Sequence, residues 1–354
     1  MKVMVTGHLG YIGTLLTQLL KAEGHDVVGY DAGLYRNCAI SEVDPIPYVE
    51  KDIRDAEVED FEGVEAVIHL AGLSNDPLGA INPEMTYMIN HKGSVRVAEM
   101  ARRAGASRMV FASSCSVYGQ AGETLLTEES PYNPVTPYAE SKLLAEGDIS
   151  ALADDNFSPV FLRPATAYGV SPMIRFDLVL NNLVAWASAT KQVYLKSDGT
   201  AWRPLAHAQD IARAAVAAVQ APKDVVHCQA FNVGVTNENF RVRELAEIVE
   251  DVVPGAATMF AGDASPDKRH YRVSFEKIAR ELPAFRPQWT VHRGAVSLFE
   301  TISAMGLSTE DFEGPRYNRL DHLQMLLSDG RLGPDMRYVV KPEEGARAEA
   351  VAAK

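Results

Sequence analysis

The chain has 354 residues, 47% of them hydrophobic and 23% charged, and a formal net charge of −13 from 34 Lys+Arg against 47 Asp+Glu. That supplies a large α/β core with a smaller second lobe, while the negative balance disfavours nucleic acid as a partner and leaves phosphate recognition to a few local arginines. No stretch is apolar and long enough to suggest a membrane span, and with a strand-like run opening at residue 2 no secretory leader is expected. Cys38, Cys115 and Cys228 have neither pairing arithmetic nor metal-ligand spacing, so the expectation is a cytoplasmic protein without a metal site.

The first apolar run, residues 2–5, breaks at once into Thr6-Gly7-His8-Leu9-Gly10-Tyr11-Ile12-Gly13 and continues as an apolar-periodic helix to about residue 23. A buried strand, a Gly-x-x-Gly-x-x-Gly turn and a helix make the opening unit of a dinucleotide-binding fold. Gly7 permits the tight turn, Gly10 lets backbone approach a pyrophosphate, and Gly13 lets helix pack on strand; Tyr11 and Ile12 ride between them. The second strand, 26–30, ends at Asp31. A carboxylate there accepts hydrogen bonds from the adenosine ribose and repels a 2′-phosphate, so the expected cofactor is NAD, a preference that Arg36 a few residues on works against.

Strand-like and helix-like runs then alternate: a strand at 66–70, a helix over 83–103, a strand at 108–113, a helix over 138–153 and a buried strand at 159–162. Such alternation builds a parallel sheet. Residues 171–205 show no clean alternation and open a substrate lobe. A helix at 210–219 and a strand at 230–233 return to the sheet, and the chain from about 237, with a helix over 242–251, goes back to the lobe. The expected fold is therefore a doubly wound α/β Rossmann sheet, residues 1–170 and 206–236, with a smaller α/β substrate lobe, residues 171–205 and 237–340. The segment 306–340 is assigned to covering the lobe, and the Ala/Glu-rich tail 341–354 is expected to be disordered.

A second constellation carries chemistry. Tyr138 and Lys142 stand at i and i+4 on one helix face, and Ser113-Ser114-Cys115-Ser116 closes the strand before them. An ammonium beside a phenol stabilises the phenolate, and a nicotinamide charge adds to it, so Tyr138 serves as a base. The Ser114 hydroxyl holds the same substrate oxygen.

With the glycine turn and Asp31, these residues resemble the extended short-chain dehydrogenase/reductases of the NAD-dependent nucleotide-sugar epimerase/dehydratase family, over nearly the whole chain. The resemblance extends to Asp52-Ile53, Leu70-Ala71-Gly72, Asn90, the run from Arg163 to Tyr168-Gly169, and Trp202-Arg203-Pro204. It implies that Asp52 and Ile53 flank the adenine, that Leu70, Ala71 and Gly72 line the pyrophosphate and ribose, and that Asn90 sits near the cofactor. It places Arg203, with Arg269 as a second candidate, and Asn182 on the diphosphate of a nucleotide sugar. Arg163, Thr166, Cys115 and Ser116 fall on the sugar side.

Two departures bear on the reaction. Family dehydratases carry Asp-Glu where this chain has Cys115-Ser116, so no carboxylate expels water there, and a thiol is a poor acid for that step. Thr166 stands where many epimerases have Asn, which leaves the sugar unspecified. The expected reaction is inversion at C4 of a nucleotide-diphosphate hexose through a 4-keto intermediate, like that of UDP-glucose 4-epimerase. The alternative is one-way reduction of a 4-keto-sugar nucleotide; dehydration and a cofactor-sensing protein without turnover rank below both. Helices 83–103 and 138–153 correspond to the pair through which the family forms homodimers.

Overall fold

Six apolar runs and a half-buried edge strand at Tyr48–Glu50 form one parallel sheet in a computed structural model that describes residues 1–74, 76–265 and 270–339, with only the backbone of 262–265. Arg269 and the tail 341–354 lie outside the described residues. The strands are β1 (Lys2–Thr6), β2 (Asp26–Asp31), β3 (Tyr48–Glu50), β4 (Ala66–His69), β5 (Arg108–Ala112), β6 (Ser158–Pro164) and β7 (Ala230–Val233). Their order is β3-β2-β1-β4-β5-β6-β7. Every neighbouring pair is parallel, with Val5 opposite Gly29 on one side and Ile68 on the other. The order reverses between β1 and β4, the switch point where a crevice opens at the strands' carboxyl ends.

Helices cover both faces. On one, α1 (Gly13–Ala22) buries Leu15, Leu16 and Leu20 in the same core as Ile211 and Val216. On the other, the helix expected over 83–103 is a short turn, Pro83–Thr86, then a π-helical stretch, Tyr87–Gly93, then α2 (Ser94–Arg103). Beside it lies α3 (Pro137–Ser150), which begins where Thr136 Oγ1 accepts from the Ala139 N–H at 3.2 Å and Pro137 occupies the first turn.

The stretch 171–205 is more regular than its sequence suggests. It holds α4 (Val179–Thr190), a strand at Gln192–Ser197 and the start of another, Trp202–His207. The α4 sequence, VLNNLVAWASAT, is mostly apolar and its few polar residues, one of them the buried Asn181, are scattered around the helix, so no polar face marks its period. With α5 (Ala208–Gln220) returning to the sheet, the chain leaves again through α6 (Val242–Val252) and α7 (Val291–Met305). These enclose a further core of Leu183, Val193, Leu245 and Leu298.

The segment 306–339 divides its contacts. Phe312 and Tyr317 join the Leu183 core, but in and after α8 (Arg319–Ser328) Leu323, Leu326, Leu332 and Met336 fill the same core as Met4, Tyr30 and Phe61 of the sheet. That second part is fastened to the cofactor-side loops. His322 Nε2 lies 3.0 Å from the Leu34 carbonyl, Tyr338 donates to the Gly33 carbonyl at 3.3 Å, and Arg337 pairs with Asp55. Among the described residues no helix is long and apolar enough to cross a membrane.

Candidate active site

A cavity of about 780 Å³ opens at the carboxyl ends of the strands. The glycine turn, Asp31, Asp52, Ile53 and Leu70–Gly72 line one part of it; Ser114, Ser116, Tyr138 and Lys142 line the middle; Thr166, Asn182 and Arg203 line the rest.

The turn is built for backbone approach. Gly7 has φ +73°, and a Cβ there would meet the Ala71 nitrogen at 2.8 Å; a Cβ on Gly13 would meet the Gly7 carbonyl oxygen at 2.2 Å. Neither contact leaves room for a side chain. The Asp31 carboxylate accepts from Leu9 N at 3.1 Å and Gly33 N at 2.8 Å, which fixes it at the cavity rim. Arg36 is engaged elsewhere, 2.7 Å from Glu50 Oε1, so its charge is answered by a carboxylate rather than held for a 2′-phosphate. Beneath the turn, His69 bridges Thr6 Oγ1 at 2.7 Å and Ser94 Oγ at 2.9 Å. Burial, reinforced by the Lys142 charge, pushes its pKa down to about 3, so the bridge is made by a neutral imidazole.

Tyr138 keeps part of its surface open to the cavity. The surrounding protein desolvates the phenol and pushes its pKa up to about 12, against which a hydrogen bond with Ser114 pulls it down. Ser114 Oγ is itself held by the Ser116 N–H at 3.1 Å and hydroxyl at 2.9 Å. Lys142 is buried; desolvation lowers it to about 8, and Glu146 works against that shift. Its Nζ donates to the Ala112 carbonyl at 2.8 Å and lies 4.9 Å from the Phe111 ring centroid. An ammonium has three donors, so two are left for ligand hydroxyls.

At the far end, Asn182 Nδ2 and Trp186 Nε1 both donate to Glu313 Oε1, at 3.0 and 2.9 Å. Burial alone would raise the Glu313 carboxyl; these hydrogen bonds outweigh it and hold the pKa below the usual range. Arg203 is 5% exposed, with Nη1 donating to the Trp202 carbonyl at 2.7 Å.

The model of the NAD dependent epimerase/dehydratase family matches residues 3–234. The UDP-glucose 4-epimerase of Neisseria meningitidis serogroup C is 32% identical over 266 residues, 66% of this chain and 77% of that protein. The chain belongs to the NAD-dependent epimerase/dehydratase family. The UDP-glucose 4-epimerase of Mycolicibacterium smegmatis is 31% identical over 319 residues, 85% of this chain and 98% of that protein. The solved structure of MoeE5 in complex with UDP-glucose and NAD, 25% identical, superposes with a TM-score of 0.71 over 87% of this chain and 100% of that one. An NAD-dependent enzyme of this family must hold a pyrophosphate and a ribose, and the cramped glycine turn and the rim carboxylate of Asp31 fit that group.

Three expected contacts are placed differently in this family member. Cys115 is fully buried, with Sγ 3.0 Å from the Arg163 carbonyl, and desolvation raises its thiol pKa; it faces the core and does not line the cavity. Arg163 is 2% exposed and does not line the cavity. Its guanidinium lies under α3, paired with Glu146 at 2.9 and 2.5 Å and bonded to the hydroxyls of Tyr118 at 3.1 Å and Tyr132 at 2.8 Å. Alternation along β6 sends that side chain away from the crevice. Asn90 is fully buried and acts through backbone, accepting from Leu73 N at 2.7 Å and donating to Leu73 O at 3.0 Å, which holds the Gly72 turn.

Sequence reasoning missed a group on the cavity wall: Ser74, Asp76, Arg175, Asp177, Tyr35 and Arg319. Arg175 pairs with Asp177 at 3.0 and 2.5 Å and donates to Ser74 Oγ at 2.8 Å. The Arg-Phe-Asp tripeptide before α4 is the available signal, two charges flanking an aromatic where a solvated loop is the ordinary expectation.

Proposed function

We propose that this enzyme inverts C4 of a nucleotide-diphosphate hexose, in the manner of UDP-glucose 4-epimerase, through a 4-keto intermediate. The observation that carries the reading is the convergence of Ser114, Tyr138 and Lys142 in one cavity between the glycine turn and the Asn182–Arg203 end. The phenol takes the proton of the C4 hydroxyl while Ser114 holds the oxygen, and the free donors of Lys142 orient neighbouring hydroxyls and favour the phenolate. NAD, when bound, supplies the hydride acceptor for C4 and a positive ring that lowers the proton affinity of the phenol. Asn182 and Arg203 hold the sugar nucleotide by its diphosphate, which leaves the hexose free to present either face. The burial of Cys115 supports epimerisation over elimination, because no acid stands at that position.

We further propose a cytoplasmic location and a homodimer, the dimer supported by Met88 and Leu144, which are 42% and 43% exposed on the π-helical stretch and α3. Sedimentation at micromolar concentration is expected to give twice the chain mass.

The deciding experiment incubates the purified enzyme with a panel of nucleotide hexoses and their 4-keto-6-deoxy derivatives, with and without NADH, followed by mass and proton NMR. An isobaric product with altered ring couplings, formed without added reductant, is expected. Gain of two hydrogens only with NADH would assign a ketoreductase, and loss of water a dehydratase.

A further inference from the structure

Among the described residues that line the cavity, several carry a polar atom without a hydrogen-bond partner, the Ser113 hydroxyl included, and two of these atoms belong to neighbouring side chains. Arg319 is 2% exposed, and its Nη1 is one of them; the buried hydroxyl of Tyr35 is the other. The guanidinium carbon of Arg319 lies 4.2 Å from the Tyr35 ring centroid, and Nη2 donates to the Met173 carbonyl at 3.2 Å. The carboxylate nearest in charge, Asp177, is already held in a two-point pair by Arg175. Arg319 therefore has an idle donor beside an equally unpartnered hydroxyl, and its charge is only partly answered, by an Asp177 that Arg175 already holds; a buried charge is best kept where a partner completes it.

We propose that Arg319 and Tyr35 bind the pyrophosphate of NAD, and that the segment 319–339 is thereby a clasp that retains the cofactor. The wall that carries these donors is built from the cofactor side. Tyr35 follows Asp31 in the loop after β2, and α8 is tied to that loop by His322 at the Leu34 carbonyl. Beyond α8, Arg54 Nη1 donates to the Asp335 carbonyl at 2.8 Å, beside the ion pair of Arg54 and Asp52, and Met336 lines the cavity with Ala32 and Ile53. Asn182 and Arg203 belong to other elements and serve the other diphosphate. The inference rests on the NAD dependence of the family and stands or falls independently of the C4 reading.

The test uses the full-length enzyme. Exchange of bound NAD for deuterated NAD is followed by mass spectrometry, and ADP, adenosine and UDP are titrated as displacers of NADH fluorescence. Arg319→Met is expected to speed exchange and weaken ADP by about tenfold, the usual worth of a charge-assisted hydrogen bond, with adenosine and UDP unchanged within twofold. Arg319→Lys is expected to fall between Arg319→Met and the native enzyme, because charge is kept and the planar fork is lost. Unchanged exchange would overturn the proposal. Equal weakening of ADP and adenosine would reduce Arg319 to a packing role, and weakening of UDP alone would hand the site to the sugar nucleotide; either result overturns it. Should Arg319→Met fail to fold, Tyr35→Phe decides: it removes one hydroxyl and no bulk, and exchange about threefold faster is expected, with no change counting against the clasp.

Discussion

The two ends of the cavity are built on different plans. At the cofactor end the glycine turn approaches through backbone: a Cβ on Gly7, Gly13 or Gly72 would come within 3.0 Å of a neighbouring atom, and the Thr6–His69–Ser94 bridge lies beneath it. At the sugar end the wall is side chains, Thr166, Asn182 and Arg203, brought from separate elements. Backbone walls recognise what every nucleotide shares, while side-chain walls can be exchanged one at a time. On the proposed function, the first end serves what the family shares and the second sets the substrate.

Between them stand Ser114, Tyr138 and Lys142, the proposed reacting groups, and the largest expected effect is there. Tyr138→Phe is expected to lower kcat about a thousandfold with little change in the KM for a nucleotide hexose. A similar loss in KM would move Tyr138 into the sugar wall.

Arg163 sharpens the contrast from outside the cavity. Removing one member of a buried pair leaves the other charge stranded, so Arg163→Met is expected to cost about 3 to 5 kcal/mol in urea denaturation. Its KM is expected to stay within about twofold; a large rise would return Arg163 to the substrate.

Lys142 gives a pH signature. Burial holds it at about 8 in the folded protein against 10.5 for the free side chain. Between those values the unfolded chain binds a proton that the folded one lacks, so stability rises with pH, by about 1.4 kcal/mol per unit. Tyr138 opposes this above pH 10, where the unfolded phenol ionises first and stability falls. In urea titrations of cofactor-stripped protein, the stability of the native chain relative to Lys142→Met is expected to rise by roughly 2 kcal/mol from pH 8 to 10, because the opposing loss from buried thiols and phenols such as Cys115 and Tyr138 is common to both.

The smallest effect belongs to Cys115. Cys115→Ala, which removes a core sulfur, is expected to leave kcat and KM within about twofold and to lower stability by roughly 1 kcal/mol. A large loss of turnover would restore the thiol to the reaction.

What the sequence reveals follows the same division. The glycine turn, Asp31 and the Tyr138/Lys142 pair are legible because their spacing within one element is the geometry. Six strands of the sheet are legible because most of their residues are buried and they read as apolar runs, whereas β3, the half-buried edge strand Tyr48–Glu50, has no such run and is not among the expected strands. That continuity hides parity: β6 is buried along most of its length, so nothing in its pattern says that Arg163 turns toward Glu146 rather than toward the crevice. Arg175 and Arg319 meet at one wall only after the chain has folded, and no local pattern joins them. α4 is illegible for the opposite reason, being mostly apolar with its few polar residues scattered around the helix.

The core beneath the glycine turn has a consequence for how this protein forms. Met4 of β1 and Leu323, Leu326 and Met336 share one cluster, so the first strand and the last described segment complete the same interior. Contacts so far apart in sequence carry a large loop-closure entropy and form late. The sheet can assemble early with one side of its core still wet, and its final drying waits on residues from the other end of the chain. Refolding is then expected to proceed through a state that has the sheet and the turn yet lacks the seal.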